Sequence, residues 1–201
     1  MGEAARRKAE ILVIKAQGDI WLAGLSSEEK AIAAVAQRTY DGIVGRLGMT
    51  EGCYNLAFFL QAYLQRVHGI KVDVVVGWVN DGQWGGATSH AWIEYQGKKI
   101  DISLNKTSNP EAAPPGDMII LDRVVHPGKV SYTYWPTLPD HAAAVLSEMA
   151  ADHPEVGAII DHKNREHERM QALARMPGGA DLYFKDAPPN CSYSFLAGYV
   201  V

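Results

Sequence analysis

Two short runs of alternating residues, HAWIEY and KKIDIS, meet across Gln96-Gly97 and constrain the fold more than any other stretch of the chain. Alternation with a period of two marks a strand with one buried face, and a glycine in a two-residue connection marks a tight hairpin. The length of that connection sets the register. Tyr95 then pairs with Lys98, Ile93 opposes Ile100 and Ala91 opposes Ile102, making one apolar face. On the other face Trp92 opposes Asp101 and His90 opposes Ser103. His90 and Asp101 become diagonal neighbours, roughly 7 Å apart at the backbone, a gap that long side chains close. A connection one residue longer would put them on opposite faces.

The stretch before this hairpin reads as a helix followed by a strand. Leu56, Phe59, Leu60, Tyr63, Leu64 and Val67 recur with helical spacing and give one apolar face. Thr50 is the expected N-cap, which puts Cys53 in the first turn. Partial positive charge at a helix N-terminus favours a thiolate over a thiol. Gly52 admits another chain or a substrate close to the cysteine backbone, and the Cys53 amide is free to donate to a developing oxyanion. His68-Gly69 is a helix stop. Lys71 to Val79 is rich in β-branched residues and reads as a strand, with Gly77 as a bulge or a close approach. Residues 80–89, NDGQWGGATS, form a loop that could serve as a mobile lid.

Cys53, His90 and Asp101 are the candidate catalytic residues. Thiol chemistry needs a nucleophile, a group to take and return a proton, and a third group to hold the imidazole in one tautomer. Taken singly, each has a plainer reading: a small buried hydrophobe, a satisfied strand histidine, a solvated strand charge. Only their order and spacing carry weight.

The sequence G-C, helix, GIKVDVVVGWV, then HAWIEY and IDIS resembles the transglutaminase-like superfamily of papain-like fold. In that family a cysteine at a helix N-terminus, a histidine in an H-A-W-x-E strand and an aspartate on the next strand form the triad. Carried over by motif, these are Cys53, His90 and Asp101. The chain has IDIS where the family often has D-P-T, which leaves Asp101 in place. The resemblance covers about a quarter of the chain. It implies an α+β fold with a papain-like core over about 27–136 and N-terminal helices packed on an antiparallel sheet; a C-terminal helical extension over about 140–201 lies outside the resemblance. It also implies amide hydrolysis or acyl transfer through a thioester, on a protein, peptide or small amide, with no cofactor. The second oxyanion donor has Gln37, Tyr40, Trp21 and Gln17 as candidates. Trp78, Trp84 and Trp92 are candidate substrate-binding residues. The first two read as walls of an acyl slot or as core plugs, and Trp92 as a packing residue that shields the triad.

Two other readings stand beside this one. An arylamine N-acetyltransferase-like acyl carrier uses the same triad order, but the chain lacks that family's R-G-G-x-C approach. A non-catalytic binding or scaffold domain on the same fold is the third.

Composition narrows the class. With 201 residues and 47% apolar content, one well-buried domain is expected. The net charge of −4, with both signs mixed, gives no nucleic-acid footprint. Cys53 and Cys191 make no disulfide framework, and a thiol nucleophile needs a reducing compartment, so a cytoplasmic location is expected. Cys191 reads as structural. No stretch reaches the roughly 18 apolar residues of a membrane span. Lys15 and Gln17 interrupt the apolar start, so no signal peptide is read, although export by another route stays open.

The remaining elements follow from local signals. Residues 3–17 read as a helix, and Ser26 or Ser27 caps a second that weakens at Gly42 and Gly45. MIILDRVV and KVSYTYW read as strands extending the sheet. Asp140 is the expected cap of HAAAVLSEMAA, and Pro154 begins a helix to about Arg175 that Pro177-Gly178-Gly179 stops. The end, from Ala180, is a final strand or a clasp. Asp161-His162 and Glu166-His167 read as a solvated polar face, because two histidines five apart do not share a helical face.

Overall fold

The computed structural model describes residues 16–200. Most of the helix expected over 3–17 lies outside the described residues. Residues 16–24 are helical (α1). Helix α2 (Ser27–Thr39) starts on a full capping box: Ser26 accepts from the Glu29 amide and Glu29 accepts from the Ser26 amide. It runs into a π-helical stretch, Tyr40–Arg46, at the two glycines expected to weaken it. Helix α3 (Cys53–Tyr63) likewise ends in a π-helical turn, Leu64–His68, closed by Gly69 in the left-handed region.

Six strands form one antiparallel sheet in the order β5-β4-β3-β2-β1-β6. They are β1 (Asp73–Asn80), β2 (Thr88–Tyr95), β3 (Lys98–Asp101), β4 (Met118–Ile120), β5 (Arg123–His126) and β6 (Thr133–Trp135). The β2–β3 register is the expected one, with Tyr95 opposite Lys98 and Ile93 opposite Ile100. Gln96 and Gly97 both take positive φ (51° and 77°), the geometry of a tight turn that matches strand twist.

Three expectations fail in informative ways. Strand β3 stops at Asp101, short of Ile102 and Ser103. The Asp101 carboxylate accepts from the Ser103 amide two residues on, an Asx turn that diverts the chain out of the ladder. MIILDRVV is two strands, because Leu121 and Asp122 both take positive φ (52° and 62°) and fold it into a hairpin. The chain's end is helical rather than a strand: α6 (Gly179–Lys185), a 3-10 turn at Pro189–Cys191 and α7 (Tyr193–Ala197). This end does act as a clasp, since the Tyr199 carbonyl accepts from Arg46 at 2.8 Å. A Cβ on Gly42 would lie 1.9 Å from that carbonyl, so only glycine fits there.

Helices α4 (Asp140–Asp152) and α5 (Pro154–Arg175) lie between the sheet and this clasp in sequence. Pro154 is at the first helical position of α5, where its missing amide costs nothing. Asp140 does not cap α4; Pro139 occupies the N-cap and Asp140 sits in the first turn, favourable to the helix dipole. The main core joins Ile32, Val35, Phe58, Phe59 and Leu60 to the apolar face of the sheet, with Ile93, Ile100 and Ile120. Met170, Phe184 and Leu196 from the later helices belong to the same core. Gln171 of α5 donates to the Val76 carbonyl at 3.1 Å, on a part of β1 that β6 does not pair. Among the described residues no helix is long and apolar enough to cross a membrane.

Candidate active site

Cys53 is the first residue of α3. Its position comes from the turn before it, where Glu51 takes a φ of 57° and Gly52 sits at the N-cap. Thr50 is therefore too far upstream to cap, contrary to expectation, and no side chain caps this helix. The first amides of a helix have no intrahelical acceptor, so the Cys53 N–H stays available beside its own thiol. The space in front of Gly52 is taken by Met49, whose Sδ would lie 2.7 Å from an added Cβ. Cys53 is half-buried and its thiol free. It lines a narrow slot with Leu56, Trp92, Asp101 and Ser103.

His90 and Asp101 meet as the hairpin register requires. His90 Nε2 lies 2.6 Å from Asp101 Oδ2, and both residues are buried, at 3% and 2% exposure. Burial by itself raises a carboxyl pKa. The His90 charge and hydrogen bond, together with the amide and hydroxyl of Ser103, hold Asp101 below its ordinary range. An ionised carboxylate only accepts, so Nε2 carries the proton and donates. That leaves Nδ1 for the thiol. Burial alone would pull the imidazole down. The Asp101 charge and hydrogen bond override it, with a smaller contribution from nearby Cys53, and His90 is raised well above the usual imidazole range.

Asp101 is fully engaged. Besides His90 it accepts from the Ser103 amide at 2.9 Å and the Ser103 hydroxyl at 2.8 Å, both at Oδ1. Tyr134 Oη donates to Oδ2 at 2.8 Å. Tyr134 comes from β6, where it pairs with Val79 of β1. Burial and then the Asp101 charge push its phenol far up, so it stays a donor.

Comparison of the chain with models of protein families, with curated proteins and with solved structures finds no match.

The three tryptophans are placed differently from one another. Trp92 is 2% exposed; it stacks beside His90 with centroids 6.3 Å apart and meets Tyr134 edge-on at 5.2 Å. It shields the imidazole–carboxylate pair, and Lys99 lies over Tyr134 at 3.5 Å on the same face. Trp78 is buried in a small second cluster with Ala87 and Ala142. Trp84 is exposed and covers Gly86 within the 80–89 loop. That loop is pinned from inside. Asn80 donates to the carbonyls of Trp84 at 2.8 Å and Gly86 at 2.5 Å, and accepts from the Gly82 amide. Gly77 forms no bulge; it pairs in register with His90. Its close approach is real, since an added Cβ would lie 2.4 Å from the Trp135 carbonyl and 2.7 Å from the Trp92 ring.

Three of the four oxyanion candidates have other partners. Gln37 donates to Asp41 at 3.0 Å and lies 3.4 Å from His126. Tyr40 donates to Asn105 at 2.6 Å. Trp21 lies beneath the Arg123 guanidinium, and Gln17 is exposed on α1.

Sequence reasoning missed Tyr134 as the fourth donor to Asp101. The signal was faint: Tyr132 and Tyr134 alternate in KVSYTYW, but nothing local aims either at a residue 33 positions earlier. The reading of 161–167 as a solvated face is corrected at His167, which is 5% exposed. Its Nδ1 lies 2.5 Å from Ser89 Oγ and its ring stacks on Trp78. The helix turns this one residue inward while His162 stays on the exposed side.

Proposed function

We propose that this chain is a cysteine-dependent amide hydrolase or acyltransferase, with a papain-like, transglutaminase-like core and the triad Cys53, His90 and Asp101. One observation carries the reading: a buried imidazole bonded to an ionised carboxylate at 2.6 Å, with a helix-terminal thiol lining the same slot as that carboxylate. A thiol and imidazole so placed favour the thiolate–imidazolium pair.

Cys53 Sγ attacks the carbonyl of a protein, peptide or small amide. The Cys53 N–H donates to the oxyanion that develops. The His90 imidazolium gives its Nδ1 proton to the leaving amine, the C–N bond breaks and a thioester remains. Water or a second amine then attacks the thioester. His90 takes the proton of that nucleophile, and the thiolate leaves. Asp101 stays ionised throughout and holds the ring by Nε2. Water as acceptor gives peptidase or deamidase action; an amine gives transglutaminase action. Such a thiol works where cysteines stay reduced, which is the basis for assigning the protein to the cytoplasm.

The test is the pH dependence of Cys53 alkylation by iodoacetamide, with Cys191→Ser as background so that one thiol reports. Labelling that persists well below the free-thiol pKa of about 8.5, and that His90→Ala shifts upward, is the expected result. An ordinary thiol profile in both proteins would sink the proposal.

A further inference from the structure

Helix α5 carries a buried imidazole that the proposed chemistry does not use. His167 Nδ1 lies 2.5 Å from Ser89 Oγ, and Ser89 Oγ lies 2.6 Å from Tyr54 Oη. The three groups come from α5, β2 and α3, elements far apart in the chain. Two of them adjoin reacting residues directly: Tyr54 follows Cys53, and Ser89 precedes His90.

A direction can be assigned to this chain of bonds. Burial disfavours the charged ring and lowers the His167 pKa, with Glu168 opposing it. A neutral imidazole accepting at Nδ1 takes the Ser89 proton, and Ser89 then accepts from Tyr54. Tyr54 is itself a poor acid, pushed up to about 12 mainly by burial, so it keeps its proton to donate. Removing one member leaves a neighbouring polar group without its partner in a part-buried setting.

Docking of α5 does not call for this link. Met170 reaches the main core, Gln171 bonds to Val76, and the His167 ring already stacks on Trp78 with centroids 4.5 Å apart. The polar bond to Ser89 adds something that packing does not: it ties the first turn of α3 to the start of β2. Those are the two points whose separation sets the distance from Cys53 to His90. Thiol–imidazole proton transfer tolerates little error, because a misplacement of about 1 Å can cost on the order of a hundredfold in rate.

We propose that His167 is a positioning residue, which through Ser89 fixes the Tyr54 hydroxyl and so holds Cys53 at working distance from His90. The inference rests on the thiol–imidazole reading above. It makes α5 a working part of the site rather than an appendage to it.

The test uses Cys53 alkylation by iodoacetamide from about pH 4 to about pH 9, in the Cys191→Ser background. His167→Ala, His167→Asn, Tyr54→Phe and His90→Ala are compared with the parent. His167→Ala and Tyr54→Phe are expected to slow labelling near pH 6 by roughly three- to tenfold, the net effect of one hydrogen bond, and to move the acid limb upward. His167→Asn, whose amide replaces Nδ1, is expected to restore most of the rate. Should His167→Ala fail to fold, Tyr54→Phe decides, because it removes a hydroxyl and no volume. A thiol that His90→Ala silences but Tyr54→Phe leaves unchanged overturns this inference and keeps the triad. An ordinary profile in the parent protein overturns both.

Discussion

Tyr134 and His90 converge on a single oxygen of Asp101, at 2.8 Å and 2.6 Å, from strands on either side of β1. The carboxylate is thus clamped across the sheet as well as along the hairpin. With Ser103 occupying its other oxygen twice, Asp101 has no freedom to rotate away from the imidazole.

Tyr134→Phe removes one donor to a buried charge and leaves the ring in its place against Trp92. We expect a stability loss of about 1.5 kcal/mol, the value of a hydrogen bond to an ionised group. Urea unfolding at neutral pH measures it. The Asp101 carboxyl should titrate higher in this variant, readable by carbon NMR of the side chain.

Asp101→Asn keeps the shape and removes the charge. An adjacent opposite charge moves a pKa by about one to three units, so the His90 pKa should fall by that order. Cys53 alkylation near pH 6 should slow by at least about tenfold in consequence. Nitrogen NMR of the ring and the alkylation rate report the two effects separately.

The pair also predicts how stability follows pH. Asp101 is held below its ordinary 3.8, so its contribution is present above that value and is lost as pH falls through its folded pKa. His90 is raised above 6.5, so its contribution is complete below that value and is lost as pH rises through its folded pKa. The two overlap between about pH 4 and about pH 6.5. His90→Ala should therefore cost more stability near pH 5.5 than above pH 10, by more than about 1 kcal/mol. Urea unfolding of parent and variant at both values gives the difference.

Gly77→Ala tests the close packing beneath the site. A methyl there meets the Trp135 carbonyl and the Trp92 ring, neither of which can yield easily. We expect a loss of about 2 kcal/mol or more from overpacking. Displacing β6 would also draw Tyr134 off Asp101, so alkylation of Cys53 should weaken with stability rather than independently of it.

The hairpin and the His90–Asp101 pair were legible because their determinants are local. Gln96-Gly97 sets the turn, alternation sets the face, and His90 and Asp101 follow within a dozen residues. Cys53 was legible from Gly52 and the apolar period behind it, although Thr50 was the wrong cap, because Glu51 breaks away from the helical path. Tyr134, Ser89 and His167 were not legible. Their bonds join residues 33, 35 and 78 positions apart, and only the packing of β6, α3 and α5 on the sheet brings them together. The hairpin at Leu121-Asp122 was missed for a different reason: neither residue is a glycine, and the left-handed turn leaves no mark in the composition.

The strand order has a consequence for synthesis. Strand β6 is made after β5 yet pairs at the opposite edge, against β1, some fifty residues upstream. Such distant pairing forms late, because the loop must close before any contact repays it. A growing polypeptide therefore carries Cys53, His90 and Asp101 outside the ribosome before the sheet that clamps the carboxylate is finished. During that interval Asp101 lacks its Tyr134 donor, so the clamp on its carboxylate closes only once β6 has emerged.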